Sequence, residues 1–182
     1  MTSEIIDIHP HIVSTDTARY PIAPHKGHRS NWSATRAVTF EQLVAEMDEA
    51  GVAKAAIVHS STTYGHNNAY VADSVAQQPQ RFTGVYSFDV LAPDALKTFD
   101  YWLAHGMGGI RIFTGGATNQ SDSSWLVNPA TFPIWERCAE IGMAMAIQTT
   151  PAGLSKVAEL AQRFPTVKIA LDHCARPVLD GG

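Results

Sequence analysis

Two histidines separated by one residue, His9 and His11, end an apolar run near the start of the sequence. Residues two apart in a β-strand point to the same face, so both imidazoles can enter one cavity. Imidazole is a very common protein ligand for zinc-like ions. The spacing predicts a metal-binding or catalytic pair; the alternative is one packed core histidine beside one loop histidine.

A third histidine, His173, lies in an Asp-His pair directly after the apolar run 167–171. A catalytic metal site uses about three protein ligands and leaves one position open for water or substrate. If the strands share one rim of a barrel, His173 can converge with His9 and His11. The alternative is that His173 caps the end of its strand by hydrogen bonding.

An arginine, Arg111, lies inside the apolar stretch 109–113. An arginine within a buried strand must find an anionic partner, because an unpaired buried charge is very costly. A substrate carboxylate is one candidate, since the planar guanidinium can bind it with two hydrogen bonds. An internal salt bridge is the other, and the sequence does not decide between them.

The elements that must hold these residues alternate between strands and helices. Strands are predicted at residues 4–13, 55–58, 82–88, 109–113, 143–148 and 167–171. Helices are predicted at residues 39–51, 67–78, 94–105, 129–141 and 153–164. The polar segments 14–37 and 114–128 are predicted to be long loops of the kind that bind ligands.

Strands that alternate with helices predict a parallel α/β sheet with right-handed crossovers. A doubly wound sheet usually has a glycine-rich turn after its first strand, and here that turn carries histidines. Polar residues at successive strand ends favour a TIM-type (β/α) barrel. Such a barrel has eight βα units in about 250 residues. Residues 1–182 are therefore expected to form a single barrel domain with about six units, truncated at its C-terminus.

The composition is that of a globular protein, with 182 residues, 45% hydrophobic and 16% charged. The formal charge of −4 and scattered basic residues argue against a nucleic-acid partner. No apolar run approaches the roughly 18 residues of a membrane span, and no signal peptide begins the sequence. A cytoplasmic protein is expected, in which Cys138 and Cys174 are reduced and too few for a thiolate site.

Four short motifs together resemble the amidohydrolase-related family of metal-dependent TIM-barrel hydrolases. They are IDIHPH at 6–11, YGHNN at 64–68, GGIR at 108–111 and LDHCARP at 171–177. The branch with 2-pyrone-4,6-dicarboxylate lactonase and sulfomuconolactone hydrolase is the most similar in these motifs. The resemblance implies metal ligation by His9, His11 and His173. It implies substrate binding by Arg111 and Ser61, which match carboxylate-binding positions, and by His59, which stands where relatives often have glutamine.

The resemblance implies a hydrolase that opens a lactone or related carbonyl ester of a small, carboxylated compound. A single zinc ion is the expected cofactor, because Gln148 replaces a strand-end histidine and no strand-end lysine can bridge two ions. The family's catalytic aspartate follows the eighth strand, beyond Gly182. A metal-free lactonase, a non-oxidative decarboxylase and an inactive or binding-only fragment are the alternatives. The expected partner is a small-molecule substrate, and homo-oligomerisation is left open.

Overall fold

The computed structural model describes residues 4–114 and 122–177. Its strands are β1 (Ile5–Asp7), β2 (Val52–Val58), β3 (Phe82–Tyr86), β4 (Met107–Phe113), β5 (Ala144–Gln148) and β6 (Ile169–Leu171). Its α-helices are α1 (Asn31–Thr35), α2 (Phe40–Ala50), α3 (Ser61–Tyr64), α4 (Ala69–Val75), α5 (Ala95–Ala104), α6 (Phe132–Ile141) and α7 (Leu154–Arg163). Short 3-10 turns lie at His25–Gly27, Ser124–Val127, Pro129–Thr131, Pro151–Gly153 and Asp172–Ala175.

The chain divides into two compact units, residues 1–87 with 100–108 and residues 88–99 with 109–182. In the first unit, β1, β2 and β3 are parallel neighbours in the order of the chain. In the second, β4, β5 and β6 follow the same pattern. Parallel neighbours need a crossover connection, which the intervening helices provide. The predicted βα units are therefore confirmed in both compact units.

The core of the first unit lies on one face of its strands. The strand register pairs Ile57 with Gly84, and both belong to this face. Phe82, on the same face, packs edge-on against Phe40 of α2, with ring centroids 5.1 Å apart. A Cβ atom at Gly84 would collide with the side chain of Met107, so glycine allows the close approach that buries these groups.

The ends of α2 follow from local sequence signals. Thr39 accepts a hydrogen bond from the Gln42 backbone, and the Gln42 side chain accepts one from the Thr39 backbone. This capping box satisfies two amide groups that the first turn cannot pair. Gly51 ends the helix with a φ of 71°, a left-handed conformation that costs glycine little. Both predicted ends of the helix are confirmed.

The second unit buries one face of its strands and leaves small residues on the other. Ile110, Met145 and Ile147 are fully buried. On the opposite face, Ala146 is half-buried and Ala170 is exposed. That second face therefore has room for a long side chain that lies among the alanines.

Several elements differ from the sequence-based prediction. β1 is three residues long rather than ten, and its Ile5 and Ile6 are 55% and 51% exposed. Two short helices are not predicted from the sequence: α1 lies in the predicted loop 14–37, and α3 lies between a predicted strand and a predicted helix. Polar helices of four or five residues show no apolar periodicity. Part of the predicted loop 114–128 lies outside the described residues. No helix in the described part of the chain is long and apolar enough to cross a bilayer.

Candidate metal and substrate site

The histidine pair follows β1 in the first unit. The His9 and His11 rings meet edge to face, with centroids 5.0 Å apart and planes at 89°. The Val58 amide donates to the Pro10 carbonyl over 2.8 Å, which keeps this segment alongside β2. The His9 amide donates to the Asp7 carboxylate over 3.0 Å. The structure thus brings the two imidazoles together, and metal binding by them stays a prediction.

The His11 ring is fixed from two sides. Its Nδ1 lies 2.6 Å from the Val58 carbonyl oxygen, and its ring stacks on Trp32 with centroids 5.1 Å apart. A carbonyl oxygen can only accept, so Nδ1 carries the proton and the Nε2 of a neutral ring carries the lone pair. A histidine that binds a metal through one ring nitrogen usually donates a hydrogen bond from the other ring nitrogen to a nearby oxygen. His11 is therefore oriented as a metal ligand would be.

The segment 14–37, which supplies Trp32, is bound to α3 along its length. The Ser14 amide donates to the Tyr64 hydroxyl over 2.7 Å, and the Ala23 amide donates to the Thr63 carbonyl over 2.9 Å. Burial raises the pKa of Tyr64, so its hydroxyl stays neutral near pH 7 and accepts this hydrogen bond. These hydrogen bonds hold the segment against α3 and thereby place Trp32 against His11.

His59 holds the turn that follows α3. The side chain is fully buried, and Nε2 lies 2.8 Å from the Gly65 carbonyl, to which it donates. It follows Ile57 by two residues and so belongs to the buried face of β2. Gly65 has a φ of 61°, and a Cβ there would lie 2.7 Å from the Ala23 carbonyl. These contacts give His59 a structural role, and its predicted contact with substrate stays a prediction.

Ser61 is the first residue of α3 and is buried. Its carbonyl accepts from the Gly65 amide over 3.1 Å, while the hydroxyls of Ser60 and Thr63 pair with each other over 2.8 Å. Within residues 4–114 and 122–177, the Ser61 hydroxyl makes no hydrogen bond. Its predicted role in substrate binding stays a prediction.

Arg111 lies in β4 with small neighbours. The register pairs it with Ala146, which in turn pairs with Ala170. The side chain is buried, its Nε donates to Asp172 Oδ2 over 2.6 Å, and its Nη2 donates to Gln148 Oε1 over 2.8 Å. The internal salt bridge, one of the two alternatives for Arg111, is therefore present, and a substrate carboxylate would be an additional partner.

The sequence did not single out Gln148 and Asp172 as partners of Arg111. Gln148 is the last residue of β5, and Asp172 follows the last residue of β6. Because Ile147 pairs with Leu171, the next residues of the two strands fall on the face that carries Arg111. A correct register would have revealed this trio, and apolar periodicity alone does not fix register.

His173 lies in a turn with an unusual backbone. The four residues from His173 to Arg176 have φ values of 51°, 50°, 58° and 52°. Left-handed conformations cost L-residues about 1 to 2 kcal/mol each. Such strain is typical of functional sites. The His173 side chain is exposed, and it directly follows the buried Asp172.

Residues 6–181 match the amidohydrolase family model. The chain belongs to the amidohydrolase family. No curated protein matches the chain in sequence.

Three solved structures illustrate what this amidohydrolase chain is similar to. A Pseudomonas putida protein, named as a candidate 2-pyrone-4,6-dicarboxylic acid hydrolase, is 19% identical over 100% of the chain with a TM-score of 0.76. A Bordetella bronchiseptica TIM-barrel protein is 18% identical over 92%, with a TM-score of 0.63. A Burkholderia multivorans amidohydrolase with bound zinc is 16% identical over 96%, with a TM-score of 0.72.

These likenesses show the fold. The chain is a TIM-type (β/α) barrel chain that holds six of the strands, which confirms the fold class expected from the sequence. It spans 61%, 66% and 59% of the lengths of these three proteins.

Proposed function

We propose that this amidohydrolase is a metal-dependent hydrolase that opens a lactone or related carbonyl ester of a small, carboxylated compound. The observation that carries the proposal is the histidine pair, with His11 oriented through its Nδ1 by the Val58 carbonyl. We propose a single zinc ion held by His9, His11 and His173. A zinc-bound relative of the same fold supports this choice of ion.

The three histidines can converge because of where they lie along their strands. His9 and His11 follow β1, and His173 follows β6. In a parallel barrel, residues at the carboxyl ends of the strands share one rim, where active sites are built. A catalytic zinc site with about three protein ligands fits this set. The chemistry that such an ion supplies is Lewis acidity, which polarises a carbonyl and makes water a nucleophile near neutral pH.

Arg111 supports an acidic substrate. A guanidinium has five N–H donors, and Asp172 and Gln148 accept hydrogen bonds from two of its nitrogens, Nε and Nη2. Among residues 4–114 and 122–177, Nη1 has no hydrogen-bond acceptor, so it can donate to a substrate carboxylate. We propose that this nitrogen binds the substrate, together with Ser61 and His59.

The names of two further structural neighbours support a carboxylated ring compound and a second candidate reaction. They are a 5-carboxyvanillate decarboxylase from Sphingomonas paucimobilis (18% identity, TM-score 0.60) and a 2,6-dihydroxybenzoate decarboxylase from Rhizobium (12% identity, TM-score 0.61). Non-oxidative decarboxylation of an aromatic acid is therefore the alternative function. A metal-free lactonase that uses the same histidines as hydrogen-bond donors is a further alternative.

The proposal is tested with the protein purified from its complete gene. We expect hydrolysis of 2-pyrone-4,6-dicarboxylate, followed by the loss of lactone absorbance, and its abolition in His11→Ala. His105→Ala is the control, because His105 is an exposed histidine whose Nδ1 bonds its own helix, at the Tyr101 carbonyl. Release of CO2 from 5-carboxyvanillate or 2,6-dihydroxybenzoate, without lactone hydrolysis, would replace the hydrolase by the decarboxylase.

A further inference from the structure

Gln148 is held rigidly at the end of β5. The side chain is 5% exposed, and its Oε1 accepts from Arg111 Nη2 over 2.8 Å. Its backbone carbonyl accepts from the Thr114 amide over 2.8 Å. The next residue, Thr149, shares a hydrogen bond of 2.7 Å with the Thr114 hydroxyl. The backbone on both sides of Gln148 is therefore fixed, and its amide oxygen is a fixed acceptor for Arg111.

The two acceptors occupy one side of the guanidinium. Asp172 accepts from Nε and Gln148 accepts from Nη2, and these two nitrogens form the same edge of the planar group. The other edge of the group is formed by Nη1 and Nη2, and Nη1 bonds neither of these acceptors. A carboxylate needs such an edge for two parallel hydrogen bonds.

The two acceptors differ in charge. The Asp172 carboxylate balances the positive charge of Arg111, and Gln148 adds an acceptor without adding charge. A second carboxylate in place of Gln148 would leave the trio with a net negative charge, which repels an anionic substrate. A neutral acceptor holds the guanidinium and still lets it bind a carboxylate.

We propose that Gln148 is a positioning residue that also determines specificity: it orients Arg111 toward a substrate carboxylate and, by being uncharged, lets an anion approach. The charge part of this inference rests on the proposed function, in which Arg111 binds a substrate carboxylate. The orientation part rests on the hydrogen bonds alone.

Two substitutions separate orientation from charge. Gln148→Met keeps the length of the side chain and removes the acceptor. Gln148→Glu keeps the acceptor and adds a charge. The matched control is Gln78→Glu, because Gln78 Oε1 lies 3.5 Å from Arg81 Nη1 in a similar pair outside the candidate site. Circular dichroism of each variant checks that the fold is retained.

Two measurements on the complete protein are used. The first is rotation of the Arg111 guanidinium about its Nε–Cζ bond, measured by nitrogen-15 NMR of the side-chain N–H groups. The second is the Kd of isophthalate, a planar dicarboxylate that cannot be hydrolysed, by titration calorimetry. We expect faster rotation and at least about threefold weaker binding in Gln148→Met. In Gln148→Glu we expect slow rotation but roughly tenfold or more weaker binding.

The outcomes distinguish the inference from the function on which it rests. Unchanged rotation in Gln148→Met would overturn the positioning role, and wild-type affinity in Gln148→Glu would overturn the charge role. A purely structural glutamine predicts that Gln148→Glu binds isophthalate normally, since the hydrogen bond survives. If the wild-type protein binds no isophthalate while Gln148→Met still speeds rotation, positioning stands and the acidic substrate of the proposed function is refuted.

Discussion

Removal of the negative charge at Asp172 should destabilise the protein strongly. The Arg111 and Asp172 side chains are 7% and 5% exposed, and their Nε and Oδ2 atoms are 2.6 Å apart. Asp172→Asn keeps the shape and an acceptor oxygen, so the main loss is the charge that balances the guanidinium. Breaking one side of a buried pair costs about 3 to 5 kcal/mol, because an uncompensated charge stays buried. We expect a loss of that size in the free energy of unfolding.

The matched control is an ion pair near the surface. Arg81 and Asp48 are 2.8 Å apart, with side chains 28% and 60% exposed. Solvent screens this pair, so Asp48→Asn should cost less than about 1 kcal/mol. Urea unfolding followed by tryptophan fluorescence, in metal-free buffer, measures both variants. Equal losses in the two variants would show that Arg111 is not a buried charge that Asp172 balances.

Three smaller effects follow from local geometry. Thr39→Ala should lower the unfolding free energy by about 1 kcal/mol, because it removes the capping box of α2; unchanged urea unfolding would contradict this. Arg176→Gly should raise the free energy of unfolding by about 1 kcal/mol, since φ is 52° at this exposed position, and a loss of stability would show that the turn is not strained. Burial raises the pKa of Cys138 to about 12, so at pH 8 a thiol reagent should modify only exposed Cys174 in the folded protein, as peptide mass spectrometry would show.

Local signals in the sequence predicted the elements, because they depend on neighbouring residues alone. Thr39 and Gly51 mark the ends of α2 by cap chemistry, and helical periodicity or short apolar runs mark the other long elements. The same rules missed α3, where polar residues 61–64 are held by hydrogen bonds to the distant segment 14–37. They also predicted a first strand much longer than the three residues of β1. β1 pairs with β2, but its apolar side chains are exposed. Periodicity in the sequence does not predict this exposure.

The candidate site was predictable in its residue types but not in its pairings. The spacing of His9 and His11 is enough to place two imidazoles side by side, and the structure does so. The partners of Arg111 lie 37 and 61 residues away, and only the strand register brings them to one face. His59 is polar and follows a strand, like a ligand-binding residue, but it belongs to the buried face.

Metal content shows most directly whether the histidines of this amidohydrolase hold a metal ion. The complete protein, loaded with zinc and passed through a desalting column, is analysed by mass spectrometry of its elements. We predict about one zinc ion per chain in the wild type and in His105→Ala, and loss of zinc with retained circular dichroism in His9→Ala. Zinc retained at wild-type stoichiometry in His9→Ala would show that His9 is not a zinc ligand, and an active wild-type protein without metal would show that the reaction is not metal-dependent.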